Sequence, residues 1–250
     1  MYNSRSNHKK VAIVTGASRG IGSATALFLA ENGYDIAINY LKNKEGAEEV
    51  ANKARKFGVK AFTVKADISI EDEIVQMFEM VDRELGNVNA LINNGAFSSG
   101  NKPIDEINFE YLEKIYKTNV FGTFICCREA IKRMKICQSG SIVNLSSMAA
   151  KLGGFRMTAY SSSKAAIENF TIGLSKEVAE FGIRVNSVSP GVINTEVHDN
   201  ISQERKNHLM NSIALKRFGT TKEVAEAIYW LLSDNSSYVT GSTLSITGGK

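Results

Sequence analysis

Short β-branched, apolar runs alternate with longer stretches of helical period along the whole chain. The runs fall at 11–15, 35–40, 60–65, 89–92, 141–145, 183–188 and 243–246, each of strand length. Between them, periodic segments near 20–32, 44–57, 70–85, 109–136, 158–181 and 221–233 read as helices. Ser69, followed three residues later by Asp72, resembles a capping box that opens the third helix. Strand-then-helix alternation implies parallel strands, because a parallel pair needs a crossover that a helix supplies. The expectation is a single α/β domain over residues 1–250: a doubly wound, seven-stranded, mostly parallel sheet with helices on both faces. Residues 1–9 form a polar extension, and no Ser/Gly/Pro linker or internal repeat marks a boundary. In such a sheet the ligand crevice lies at the carboxyl ends of the strands.

Composition narrows the class. The 250 residues are 43% hydrophobic and 22% charged with two prolines, so the chain is neither disordered nor fibrous. A globule of this size buries roughly 70–75% of its extended-chain surface and needs no staples. Cys126, Cys127 and Cys137 are odd in number, two of them adjacent, which suits neither a disulfide framework nor a metal site. They read as small buried hydrophobes in a reducing, cytoplasmic setting. His8, His198 and His208 stand apart from one another and from the cysteines, so no metal is expected. There is no signal-peptide pattern and no apolar run of spanning length, so no membrane partner is expected. Thirty bases against 26 acids, interspersed, give a net charge of +4 and no basic stripe for nucleic acid.

The chemistry gathers at strand ends. The first strand runs into Thr15, Gly16, Ala17, Ser18, Arg19, Gly20, Ile21 and Gly22, and a helix follows. Three glycines allow a sharp turn, close approach to a pyrophosphate and tight helix packing, while amide N–H groups and the helix dipole face the anion. The spacing is TGxxxGxG, one residue longer between its first two glycines than the usual dinucleotide fingerprint. Further along, Tyr160 and Lys164 stand four apart, so one helix face presents both. A free tyrosine titrates near pH 10, too high for an efficient base at neutrality. An adjacent ammonium favours the phenolate, and lowering its pKa by two to three would represent roughly 3–4 kcal/mol.

The glycine spacing and the Tyr160/Lys164 pair resemble the short-chain dehydrogenase/reductase family, and the resemblance extends over nearly the whole chain. It implies a Rossmann fold and carbonyl–alcohol interconversion with a nicotinamide dinucleotide. By that resemblance Tyr160 is the acid/base and Lys164 bonds the nicotinamide ribose. Ser147, thirteen residues before Tyr160, donates to the substrate oxygen, and Asn119 holds a water that links Lys164 to solvent. Asp67 and Ile68 flank the adenine. Pro190, Gly191, Ile193 and Thr195 match the PGxxxT segment that holds the carboxamide, and residues about 194–217 form a substrate lid.

NAD enzymes usually end the second strand on an acid. This chain has Asn39, Tyr40, Leu41 and Lys42 there, with no acid before Glu45. Arg19 and Lys42 offer cations to a 2′-phosphate, so NADP(H) is favoured over NAD(H).

After the fourth strand the family usually reads NNAG, whereas this chain has Asn93, Asn94, Gly95 and Ala96. A Cβ at Ala96 is expected to cost cofactor affinity. At 214, alanine replaces a frequent proline, which is expected to loosen the lid hinge. Sugar-oxidising members such as glucose 1-dehydrogenases and 3-oxoacyl carrier-protein reductases both look similar. Gln138 and Phe181 stand where the latter set basic residues to meet an acidic carrier, while Lys132, Arg133 and Lys135 lie close by and keep that reading open. The lid carries His198, Asn200, Arg205, His208, Met210 and Asn211, without a sugar or acyl signature. The expected reaction is NADP(H)-dependent interconversion of a carbonyl and a secondary alcohol, with a sugar or polyol as in glucose 1-dehydrogenases as the candidate substrate. A 3-oxoacyl carrier-protein reductase and a non-catalytic NADP-binding sensor or scaffold are the alternatives. Apolar residues around much of the two long helices, among them Phe121, Phe124, Ile125, Ile131, Phe170 and Ile172, suggest a second buried face and a homotetramer or dimer.

Overall fold

Strands buried on both faces must be apolar at successive positions, and β1 (Val11–Val14) is buried at all four. Its side chains divide by the two-residue period of a strand. Ala12 and Val14 join one core, and Val11 and Ile13 the other. The computed structural model describes residues 9–98, 100–196 and 202–250. It continues with α1 (Gly20–Glu31), β2 (Asp35–Tyr40), α2 (Lys44–Arg55), β3 (Ala61–Lys65), α3 (Glu71–Glu84) and β4 (Val88–Asn93). Next come α4 (Phe109–Tyr116), α5 (Gly122–Cys137), β5 (Gly140–Leu145), α6 (Ala149–Leu152), α7 (Thr158–Val178) and β6 (Ile183–Pro190), then α8 (Gln203–Asn211), α9 (Thr221–Leu232) and β7 (Thr243–Ile246).

The seven strands lie in the order β3-β2-β1-β4-β5-β6-β7, and every pairing is parallel. Helices α1, α2 and α9 cover one face through residues such as Leu29, Ala51 and Ile228. Helices α3, α5 and α7 cover the other with Phe78, Met134 and Val178. Each fully buried side chain of that size contributes roughly 1.5–3 kcal/mol. Strand order reverses direction beside β1, which opens a crevice between β1 and β4 at their carboxyl ends.

Several expectations need correction. The segment 109–136 is two helices joined by a π-helical turn, Lys117–Phe121, that carries Asn119. Gly122 is required just beyond it, because a Cβ there would collide with the Ile68 carbonyl oxygen. The capping box at Ser69 does not form: Ile70 is the N-cap of α3, and the Ser69 amide and hydroxyl both donate to Asp67 Oδ1, at 2.8 and 2.7 Å. A capping box does form at α9, between Thr220 and Glu223. Cys126 and Cys127 are buried as expected, but Cys137 is exposed at the end of α5. The short helices α6 and α8 lie outside the six helical segments expected from the period, α8 within the lid. His8, His198 and Asn200 fall outside the described residues. At the hinge, Ala214 is exposed and the next residue, Leu215, donates its amide to the Gly248 carbonyl at 3.0 Å.

Candidate active site

The loop after β1 has little side-chain mass of its own and is braced from outside. Gly16 and Gly20 have φ of +60° and +58°, a region that side-chain-bearing residues rarely adopt. A Cβ on Gly16 would lie 2.8 Å from the Gly95 Cα, and one on Gly22 would lie 2.5 Å from both the Asn94 Nδ2 and the Gly16 carbonyl oxygen. Asn94 holds the turn by donating to the Thr15 and Gly16 carbonyls at 2.9 and 3.0 Å. The Thr15 hydroxyl accepts from the Asn94 and Gly95 amides at 3.0 and 2.9 Å. The start of α2 presses on Ser18, whose carbonyl a Cβ on Gly46 would meet at 2.7 Å.

These residues fit a dinucleotide phosphate. Arg19, the N-cap of α1, gives no side-chain cap, so its side chain does not occupy the N–H groups of the first turn. Above Gly20 the nearest side-chain atom to a built Cβ is Thr195 Cγ2 at 3.8 Å, leaving room for an anion.

Two residues expected at the cofactor turn their side chains inward. Asn39 is 2% exposed; its Oδ1 accepts from the Gly16 amide at 3.1 Å, and its Nδ2 donates to the Val64 and Ala66 carbonyls. Asn93 donates to Asn144 Oδ1 at 2.9 Å and to Cys127 Sγ at 3.2 Å, also in the interior. Both brace the strands. Tyr40 is likewise buried at the end of β2. Asp67 is half-buried and occupied by Ser69, while Ile68 packs where a Cβ on Gly95 would reach its Cδ1 at 2.8 Å. Lys42 is exposed, and Arg19 lies 3.6 Å from Glu196 in an exposed pair of little strength. Ala96 does not have positive φ, so the exchange of alanine and glycine adds no backbone strain; the close-approach position belongs to Gly95.

At the carboxyl end of β5, Ser147, Tyr160 and Lys164 meet at one cavity of about 210 Å³. Asn94, Ala96, Ile21, Leu145 and Ser146 line it too, with Pro190, Gly191, Ile193 and Thr195 from the segment after β6. The Ser147 hydroxyl, which accepts from the Ala149 amide at 3.2 Å, lines the same cavity as the Tyr160 phenol and acts to lower its pKa. Lys164 is 3% exposed; its Nζ donates to the Leu145 carbonyl at 2.6 Å and lies 5.9 Å from the Tyr160 ring centre.

The electrostatics differ from the expected phenolate. Burial pushes the Tyr160 phenol up, and Ser147 offsets part of that rise. Burial also pulls the Lys164 ammonium down, from 10.5 to about 8. Loss of hydration opposes charge on either group, and the Lys164 ammonium is directed at a backbone carbonyl. The phenol is therefore held protonated at neutral pH.

Asn119, 1% exposed, joins the loop after β4 to α7. Its Oδ1 accepts from the Phe97 amide at 2.7 Å, and its Nδ2 donates to the Phe97 carbonyl and the Ser163 hydroxyl, both at 3.1 Å. Its backbone carbonyl accepts the Thr123 hydroxyl at 2.9 Å. The sequence reading omitted Asn94 from the site; the only signal for it was the asparagine doublet that follows β4. Among the described residues no cluster of His, Cys, Asp or Glu could hold a metal, and no helix is long and apolar enough to cross a membrane.

This geometry has close counterparts. A family model described as enoyl-(acyl carrier protein) reductase matches residues 16–250. The chain is 46% identical over 245 residues to the uncharacterized oxidoreductase YgfF of Escherichia coli, covering 96% of this chain and 99% of that one. It is 37% identical over 240 residues to a 3-oxoacyl-(acyl-carrier-protein) reductase of Staphylococcus aureus, covering 96% and 97%. A solved NAD+-bound xylitol dehydrogenase superposes with a TM-score of 0.91 at 31% identity, covering 98% of this chain and 100% of that one. A glycine loop at the sheet's switch point, a Tyr–Lys helix facing it and likeness over nearly the full length agree: the chain belongs to the short-chain dehydrogenase/reductase family, NAD(P)-binding oxidoreductases that act on CH–OH and C=O groups.

Proposed function

We propose that this oxidoreductase uses NADP(H) and interconverts a small polyhydroxylated carbonyl compound, a sugar or polyol, with its secondary alcohol. The observation that carries the reading is the meeting of the Ser147 and Tyr160 hydroxyls with Lys164 in one cavity that Ile21 of the glycine loop also lines. A bound nicotinamide would supply or take the hydride. Tyr160, protonated at neutrality, gives its phenol proton to the carbonyl oxygen in reduction and takes it back in oxidation. Ser147 donates a hydrogen bond to that oxygen as negative charge develops. Lys164, released from the Leu145 carbonyl, would bond the nicotinamide ribose, and Asn119 keeps α7 in register with the loop after β4. Glycines 16, 20 and 22 with Ser18 and Ile21 would hold the pyrophosphate, Asp67 and Ile68 the adenine, Asn94 and Gly95 the ribose side, and Pro190, Gly191, Ile193 and Thr195 the carboxamide.

The phosphate preference is supported by the exposed Arg19 and Lys42 and by the lack of an acid at the end of β2. A small substrate is favoured over a carrier protein because the two carrier-facing positions are themselves uncharged, and the cation beside them, Lys135, stacks on Phe181. Gln138 turns its amide back to the Lys135 carbonyl at 2.8 Å, and Phe181 lies under Lys135. The xylitol dehydrogenase likeness points the same way. A silent sensor would have no need of the three converging groups. Three unpaired cysteines suit the cytoplasm.

A second copy of the chain is the proposed occupant of the α5–α7 groove, of about 640 Å³, within a homotetramer. Phe124 and Phe170 stack there at 3.7 Å, and Phe124 and Ile172 remain 44% and 42% exposed. The deciding experiment follows nicotinamide absorbance with NADPH against ketones, sugars and 3-oxoacyl thioesters, and with NADP+ against polyols, sugars and alcohols. Sugar or polyol turnover that Tyr160→Phe abolishes, with NADPH binding retained, is the expected result. Retained turnover in Tyr160→Phe would falsify the acid/base assignment, and exclusive turnover of acyl thioesters would transfer the chain to the carrier-protein class.

A further inference from the structure

Glu168 is a half-buried carboxylate on α7 for which the proposed chemistry has no use. It accepts the hydroxyl of Ser146 at 2.8 Å. Ser146 is only 5% exposed, and its amide is fixed by the Val188 carbonyl of β6 at 2.8 Å. A serine hydroxyl has one proton to give, and the other acceptor near it is the Lys164 carbonyl at 3.4 Å, a far longer contact. The bond to the carboxylate is therefore the one that holds Ser146, and its charge makes it the stronger kind.

Three successive residues at the end of β5 thus each face α7. The Leu145 carbonyl accepts from Lys164 and the Ser146 hydroxyl donates to Glu168, while Ser147 shares the cavity with Tyr160 and acts on its phenol. The three partners recur every four residues, so they form one stripe about 12 Å long on the helix. Glu168 is the member of the stripe that does not line the cavity, and Ser146 is bonded directly to the residue whose hydroxyl faces the phenol. Without the carboxylate, the buried Ser146 hydroxyl is left with only the long contact to the Lys164 carbonyl.

We propose that Glu168 is a positioning residue: through Ser146 it sets the Ser147 hydroxyl against the Tyr160 phenol. The inference rests on the reading of Ser147 and Tyr160 as the reacting hydroxyls, but its first test needs no substrate. In the full-length, ligand-free protein, the ring ¹³Cζ resonance of Tyr160 at neutral pH reports hydrogen bonding at the phenol oxygen and is assigned by its loss in Tyr160→Phe. Ser147→Ala gives the displacement expected when that bond is removed. Glu168→Leu and Ser146→Ala should each move the resonance in the same direction by about half as much or more, and the double variant no further than either single one. Glu168→Gln, which keeps an acceptor oxygen, should leave it at the wild-type position.

With NADPH and the substrate found by the panel above, Glu168→Leu should lower kcat about tenfold, as expected for one misplaced hydrogen bond. KM and the NADPH dissociation constant should stay within about twofold of wild type, and Glu168→Gln should restore the rate. A Tyr160 resonance unmoved by both Glu168→Leu and Ser146→Ala, or a Gln variant displaced as far as the Leu variant, overturns the proposal. Failure of the parent reading has a separate signature, retained turnover in Tyr160→Phe.

Discussion

Replacing Lys164 by Met gives a quantitative test of the electrostatics at the site. The ammonium is 3% exposed and is held near a pKa of about 8, against an ordinary lysine value of 10.5. A depression of roughly 2.5 corresponds to about 3 kcal/mol of stability lost by keeping the charge buried at neutral pH. Because the folded pKa lies below the unfolded one, the unfolded chain binds more proton between the two values. Stability from this group therefore rises with pH above about 8 and levels off above about 10.5, and at pH 9.5 about 2 of the 3 kcal/mol should be recovered. Methionine keeps most of the stem without the charge, but it leaves the Leu145 carbonyl without its 2.6 Å donor, at a cost of roughly 1–3 kcal/mol. The variant should thus match wild type or exceed it by up to about 2 kcal/mol at pH 7, and lose about 2 kcal/mol relative to wild type by pH 9.5. Urea unfolding of both proteins at the two pH values and one fixed chain concentration measures the difference. Stability curves that run parallel between those pH values would refute the claim that Lys164 is a desolvated, titrating ammonium in the folded protein.

Other perturbations probe separate parts of the site. Gly95→Ala places a Cβ 2.8 Å from Ile68 Cδ1 and 3.2 Å from Thr15 Oγ1, so thermal or urea unfolding should show a loss of about 1–3 kcal/mol, with weaker NADPH binding by fluorescence. Ala96→Gly, at a residue without positive φ, should recover little affinity; a large gain would show that the alanine does obstruct the cofactor. Arg19→Ala combined with Lys42→Ala should raise the KM for NADPH about tenfold or more and leave that for NADH nearly unchanged, since charged hydrogen bonds contribute about 1.5–3 kcal/mol. Equal effects on both cofactors would remove the 2′-phosphate assignment. Phe124→Glu puts a charge beside the Phe170 ring with which Phe124 stacks at 3.7 Å, and sedimentation should then show dissociation at micromolar concentration. A wild-type chain already monomeric under those conditions would end the tetramer proposal.

The sheet was legible because strands buried on both faces cannot hide their composition: β1 is apolar throughout, and β2 and β5 each carry an apolar run at their centre. The glycine loop and the Tyr160–Lys164 pair were legible for a similar reason, as local spacing fixes which groups share a turn or a helix face. What escaped depends on contacts distant in sequence. The π turn at 117–121 breaks a segment whose own period favours one helix, and it points Asn119 at Phe97, twenty-two residues earlier. Ser69 has the sequence of a cap, but Asp67, two residues before it, takes its hydroxyl first. The direction of the Tyr160 shift was missed because spacing reports the nearby ammonium and says nothing of how much water reaches the phenol.

The asparagines show why residue type alone could not separate contact from support. A glycine-rich turn shaped to approach a pyrophosphate has few side chains with which to hold itself, so neighbouring elements must supply much of its rigidity. Asn39 fixes Gly16 from β2, Asn94 fixes Thr15 and Gly16 from the end of β4, and Asn119 fixes Phe97 from the π turn. Each uses both its amide and its carbonyl or backbone groups, and each buried group left unpaired would cost roughly 1–3 kcal/mol. An amide side chain suits this work because it donates and accepts at once without the desolvation cost of a charge. A sequence reading that finds asparagine at the mouth of the sheet sees a group able to touch a ribose. The register of the parallel strands decides instead that Asn39 and Asn93 point into the protein, and it leaves Asn94 at the cavity.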